Sequence, residues 1–272
     1  MVEPLREHDP RRMDGYRLTG FICEGEQGVV YAGRSPKGAP VAVKLLHVAR
    51  PLHADDYEER TPEKLAAQIS AVMRAGERCA GGVLDSRLDV PRPYIVTRLI
   101  EGPNLFETAR EHGPMPEPGL HRLALETAEE LAALHKEGYV CGFIKPMDVI
   151  LNREGPRLTG LGITFKAWDV RRALRDDAVY SWISWMPPEL LRMEDSTPAA
   201  DVYGWGLVVL FAATGGHVFP SDTGPALIYQ ALFAAPDVTA LPAPLRPLVS
   251  AALAKDPADR PDITTILAAL GG

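Results

Sequence analysis

The first hundred residues carry short apolar runs broken by turn-forming residues. The runs at 16–23, 29–33 and 39–44 are β-rich, and Gly, Pro and Ser separate them. That spacing predicts a meander of strands. Thr61-Pro62-Glu63 then reads as a helix start: a capping Thr, Pro in the first turn, then an acid. Leu65, Ile69, Val72 and Met73 follow at helical spacing, which predicts a helix over 61–78. Strands are predicted over 83–88 and 94–99, split by Pro91 and Pro93. After Gly102-Pro103 the pattern turns mainly helical, with helices predicted over 104–112, 118–137, 199–214, 224–234, 243–254 and 262–270. A β-rich stretch followed by a helical one predicts an α+β chain of two lobes. The expected boundaries are a loose polar arm over 1–15, a first lobe over 16–101 and a second over 102–272.

The 272 residues suit one two-lobed domain. At 46% apolar, the chain can bury a large core. Its net charge of −7 disfavours a nucleic-acid partner. Cys23, Cys79 and Cys141 lack metal-type spacing and read as reduced thiols. The longest apolar run, 205–214, is interrupted by Gly206 and is too short to span a bilayer. No signal-peptide core opens the chain and no internal repeat is seen. The expected location is the cytoplasm, as a free protein or as the cytoplasmic domain of a longer anchored one.

Several motifs change the picture. Tyr16 to Tyr31 reads YRLTGFICEGEQGVVY, a strand, a glycine-bearing loop and a strand. Val41-Ala-Val-Lys44 follows, then Tyr94-Ile-Val-Thr-Arg-Leu-Ile-Glu-Gly102. His135 to Leu151 reads HKEGYVCGFIKPMDVIL. Trp185-Met-Pro-Pro-Glu189, Asp201-Val-Tyr-Gly-Trp-Gly206 and Asp256-Pro-Ala-Asp-Arg260 come later. Seven such segments in order resemble a bacterial serine/threonine protein kinase domain, of the kind found in actinobacteria. The resemblance covers about 16–270 and implies the two-lobe protein-kinase fold.

The resemblance also marks losses. A kinase takes the substrate hydroxyl proton with one Asp and holds magnesium with an Asp and an Asn. Those positions fall on Phe143, Gly160 and Asp148. Phe143 has no proton chemistry; it is either an apolar plug or ordinary packing. Lys145 and Asp148 are the polar residues left in that loop, either for a phosphate or metal contact or simply to close a surface turn. The glycine-rich loop falls on Cys23, Gly25 and Gly28, with Glu24 and Glu26 between, and acids there oppose a triphosphate. Lys44 matches the phosphate lysine, and its helix partner falls on Gln68, which supplies no charge. Lys44, Val30, Ala42, Thr97, Leu99 and Leu151 match a nucleotide cleft, and the apolar ones serve equally well as core.

What remains is architecture. Asp201 matches an acid that receives backbone N–H groups from the catalytic loop. Glu189 and Arg260 match a buried ion pair, and Val72, Val83, Cys141 and Leu161 match a packed column. Lost acids beside retained supports suggest a pseudokinase. The expectation is a chain that is not an enzyme and acts as a protein-binding scaffold or allosteric regulator in signalling. Its partner would be an active kinase or another regulated enzyme. The alternatives are a nucleotide or small-ligand sensor and an atypical transferase that reuses Lys44, Lys145 and Asp148. No metal or cofactor is expected, beyond weak metal-independent ATP binding.

Overall fold

A computed structural model describes residues 2–25, 28–47, 62–76, 79–159, 183–221 and 223–271. The chain divides into two compact units, Met1–Glu101 and Gly102–Gly272.

The first unit is an antiparallel six-stranded sheet. Its strands are β1 (Arg12–Met13), β2 (Tyr16–Gly25), β3 (Gly28–Arg34), β4 (Pro40–Leu46), β5 (Val83–Arg87) and β6 (Tyr94–Arg98). Their spatial order is β1-β2-β3-β4-β6-β5. One helix, α1 (Pro62–Ala75), belongs to this unit. Alternation along β4 explains the core. Val41, Val43 and Leu45 are buried, and they join Leu18, Phe21, Tyr31, Tyr94 and Val96 in one apolar cluster. The intervening Ala42 and Lys44 face the other way, as period two requires.

The loose arm expected over 1–15 is corrected. Glu3 exchanges two backbone hydrogen bonds with Phe21, both 2.8 Å. Leu5 and Met13 pack against the apolar cluster. The guanidinium of Arg6 stands 4.0 Å over the Phe21 ring. Two arm carboxylates accept tyrosine hydroxyls: Tyr31 donates to Asp9 at 2.9 Å and Tyr94 to Asp14 at 2.5 Å. Polar residues that looked solvated are thus tied to the sheet.

The second unit is helical. It contains α2 (Leu105–His112), α3 (Glu117–Lys136), the hairpin β7 (Val149–Asn152) and β8 (Gly155–Leu158), and α4 (Pro188–Leu191). Then come α5 (Pro198–Thr214), α6 (Gly224–Phe233), α7 (Leu245–Ala252) and α8 (Ile263–Leu270). The axis of the unit is α5, buried without a break from Ala200 to Ala212. A helix apolar all round must be enclosed on all sides. Gly204 and Gly206 allow that: a Cβ at either would press within about 3 Å of Ile144 or Leu253. Trp205 stays buried because its ring N–H donates to the Ala124 carbonyl of α3 at 3.0 Å.

Candidate functional site

In the first unit, Val30 faces Lys44 across β3 and β4, and Ala42 faces Thr97 across β4 and β6. Cross-strand partners and residues two apart share a face. Val30, Ala42, Lys44 and Thr97 therefore line one side of the sheet, opposite the aromatic core, and all four are half-buried. Leu99, just past β6, and Gln68, on α1, are also half-buried. In the glycine-bearing loop, Cys23 and Glu24 end β2 and are exposed. The Glu24 carboxylate lies 3.3 Å from the Arg6 guanidinium, so the arm supplies a counter-charge that sequence reasoning missed. Glu26 lies outside the described residues.

In the second unit, the loop after α3 is shaped from behind. Asp201, in the first turn of α5, is fully buried. Its Oδ1 accepts the Gly142 N–H at 2.6 Å, and its Oδ2 accepts the Cys141 N–H at 2.9 Å. His135 Nε2 lies 2.8 Å from the same Oδ2. The role of His135 was missed from sequence; its place in the last turn of α3, seven residues before Gly142, was the available signal. Gly142 has φ of +76°, and a Cβ there would stand 2.6 Å from Ser196 Oγ. Glycine suits that backbone and that close approach.

Beyond Gly142, Phe143 and Ile144 turn inward, each 4% exposed. Lys145 then caps a short 3-10 turn, Pro146–Asp148. Its ammonium donates to both carboxylate oxygens of Asp148, at 2.9 and 2.7 Å. The same Nζ stands 5.3 Å from the Phe143 ring centre. Both charged side chains are about four-fifths buried (21% and 19% exposed), so they are not a solvated surface turn. The Asp148 carbonyl accepts the Thr159 backbone N–H at 2.8 Å, which ties the turn to the end of β8. Leu151 is half-buried on β7.

An ion pair braces this unit. Arg260 pairs with Glu189 of α4 at 2.6 and 2.8 Å. Val72 and Val83 are buried in the first unit and Cys141 in the second. Gly160, Leu161 and most of the stretch up to Met186 lie outside the described residues.

A magnesium ion held by the protein wants near-octahedral oxygen ligands and at least one or two carboxylates free to bind it. Among the described residues no three His, Cys, Asp or Glu side chains gather for a metal. The one carboxylate of the loop, Asp148, is shared with an ammonium. These described residues do not fit a magnesium site of the kind the resemblance implies.

The family model of the protein kinase domain matches residues 16–269. The chain belongs to the protein kinase family. Its β-sheet first unit and helical second unit are the two lobes of the protein-kinase fold. Among relatives, it is 34% identical to the probable serine/threonine-protein kinase PkwA of Thermomonospora curvata, over 99% of this chain and 36% of that one. It is 30% identical to the serine/threonine-protein kinase AfsK of Streptomyces coelicolor, over 99% of this chain and 33% of that one. It is 30% identical to the serine/threonine-protein kinase PknL of Mycobacterium bovis, over 90% of this chain and 62% of that one. The kinase domain described here thus spans about a third of the first two relatives.

These kinships overturn the expectation that the chain is not an enzyme. Relatives at 30–34% identity along nearly the whole domain are named as serine/threonine-protein kinases, which points to an enzyme. Phe143 and Gly160 are two positions in a domain whose remaining length follows these kinases. Of the two alternatives open for Lys145 and Asp148, the surface turn is the one their burial disfavours.

Proposed function

We propose that this domain is a signalling module of the serine/threonine protein kinase family that transfers phosphate with a rearranged set of polar residues. The observation that supports it is the Lys145–Asp148 pair, four-fifths buried and held in a loop that Asp201 shapes. In this reading Asp148 accepts the proton of a substrate hydroxyl, the role that Phe143 cannot fill. Lys145 meets the charge that builds on the transferred phosphate. Lys44 and the sheet face of Val30, Ala42 and Thr97 take the nucleotide, with Leu99 as an apolar neighbour. ATP binding is weak and does not depend on a metal. The names of the relatives lend the substrate class: a serine or threonine hydroxyl. The cytoplasm, where ATP is abundant, is the expected location. Among the described residues, no helix is long and apolar enough to cross a membrane.

The test is radiolabelled ATP with the purified chain and a generic protein substrate. Transfer should be detectable and should fall at least about a hundredfold in Asp148→Asn, the scale of a lost general base. Transfer that is unchanged in Asp148→Asn removes the role given to that residue. Absence of transfer removes the reading.

A second reading is favoured by one observation on α6. Tyr229 and Phe233 stand in ring contact at 5.2 Å, 65% and 63% exposed. Exposed neighbouring aromatics suit a protein contact. In this reading the domain also serves as a scaffold or allosteric regulator of a protein partner, an active kinase or another enzyme. Pull-down with the Tyr229→Ala, Phe233→Ala double variant tests it: a partner held equally by both chains counts against this face.

A further inference from the structure

Lys255 lies apart from the catalytic loop, between α7 and Arg260, and its surroundings are unusual for a lysine. Its ammonium donates to the Ala231 carbonyl at 2.7 Å and to the Tyr203 hydroxyl at 3.2 Å. The Phe219 ring face lies 4.4 Å away and the Tyr203 ring 5.6 Å. The side of Lys255 left open forms part of a cavity of about 600 Å³, lined also by Arg192, Glu194, Leu232, Phe233, Asp256 and Pro257.

The charges around it are mixed. Arg192 and Arg260 repel the ammonium; Glu194 and Asp256, on the cavity wall, attract it, and the Phe219 face favours it as well. Burial and the two guanidinium groups win, and the amine is pushed down to about 8 from an ordinary 10.5. Tyr203 keeps its proton, because burial raises it far above the ordinary tyrosine value. When Lys255 loses its own proton, it becomes a neutral amine that still reaches the Ala231 carbonyl and whose lone pair can attack once it turns from the Tyr203 hydroxyl.

We propose that Lys255 is an acylation site, modified directly by a small acyl phosphate that enters this cavity. Arg192 supplies the cation for the phosphate end, and Leu232, Phe233 and Pro257 supply apolar wall for the acyl end. The neutral amine attacks the acyl carbon. A C–N bond forms, the C–O bond to phosphate breaks, and phosphate leaves with the bonding pair. The surplus N–H proton passes to the departing phosphate. The product is a neutral amide. It removes a cation from beside Arg260 and from the face of Phe219, and it keeps one N–H where the amine had two.

The experiment uses the whole chain and acetyl phosphate, with labelled sites resolved by mass spectrometry over time. At pH 7.5, Lys255 should label roughly tenfold faster than the exposed Lys37 and Lys136, because more of its amine is neutral. Its rate should rise with pH and level off above about 8. Arg192→Gln, on an exposed side chain, should slow Lys255 several-fold and leave Lys37 unchanged. Labelling of Lys255 no faster than of Lys37, or a rate indifferent to Arg192→Gln, overturns the proposal.

Discussion

Arg260 grips Glu189 with both terminal nitrogens of its guanidinium, at 2.6 and 2.8 Å, across 71 residues of chain. Both residues are buried. The remaining donors are used too: Nε reaches the Ala254 carbonyl and Nη1 also reaches the Ala199 carbonyl, each at 2.8 Å. The planar fork matches a carboxylate in a way that a lysine cannot. One residue thereby joins α4, the start of α5 and the loop after α7.

Arg260→Ala should destabilise the second unit by about 3–5 kcal/mol, because it strands the Glu189 carboxylate in the interior. Arg260→Lys should cost less but stay destabilising. Urea unfolding of the three proteins measures this, and a loss under about 1 kcal/mol for Arg260→Ala would mean that the pair is dispensable.

The backbone at Gly142 leaves little room for a side chain. Gly142→Ala meets a φ of +76° and the Ser196 hydroxyl. A cost of at least about 1–2 kcal/mol is expected from the left-handed backbone alone. Gly142→Ala with Ser196→Gly should recover the part due to the clash and leave the part due to the backbone. Thermal unfolding of single and double variants separates the two.

Much of this was legible in the chain. The strands at 83–88 and 94–99 and the helices at 118–137 and 199–214 lie within one or two residues of β5, β6, α3 and α5. Their patterns were strong because each element packs a whole face. The arm was not legible. Its order depends on Asp9 and Asp14 meeting tyrosines 22 and 80 residues away, and no local period encodes such partners. The β7–β8 hairpin was missed because its strands are four residues each and β8 is buried throughout, which erases alternation. At the site, the motif register located Asp201 and Asp148. It could not show that Lys145 turns back onto Asp148, since an i,i+3 contact depends on the 3-10 turn that Pro146 opens.

The arm predicts a stability effect. Deleting residues 2–10 should lower the melting temperature of the first unit, because it removes the Glu3–Phe21 bridge and the acceptor of the Tyr31 hydroxyl. Tyr31→Phe alone should cost about 1 kcal/mol, the usual worth of one net hydrogen bond. An unchanged denaturation curve for the deletion would show the arm to be ornamental.

Alkaline pH gives a further check. Tyr16 and Tyr31 are pushed up to about 12, first by burial and then by hydrogen bonds to Asp85 and Asp9. Burial carries Tyr94, Tyr139 and Tyr203 in the same direction. In an unfolded chain these hydroxyls ionise near pH 10. Their stabilisation is fully present below about pH 10 and is lost as pH rises from there, because the unfolded chain sheds protons that the folded one keeps. Lys255 acts in the opposite sense: its lowered value adds stability as pH rises from about 8 to 10.5. Urea midpoints should therefore peak near pH 10 and fall steeply by pH 11.5. A flat profile to pH 11.5 would contradict this, and Tyr16→Phe should soften the fall.

The burial of α5 has a consequence for what this domain can become. His135, Cys141, Gly142 and Ile144 all take their positions from that one helix, through Asp201 and through the bare flank at Gly204. The helix works like a tool-post: it fixes the path of the loop and is indifferent to the bit clamped in it. Side chains on the far side of the loop can be exchanged without loosening the mount. The chain carries Phe143 on a curve of backbone that the helix, and not Phe143, defines.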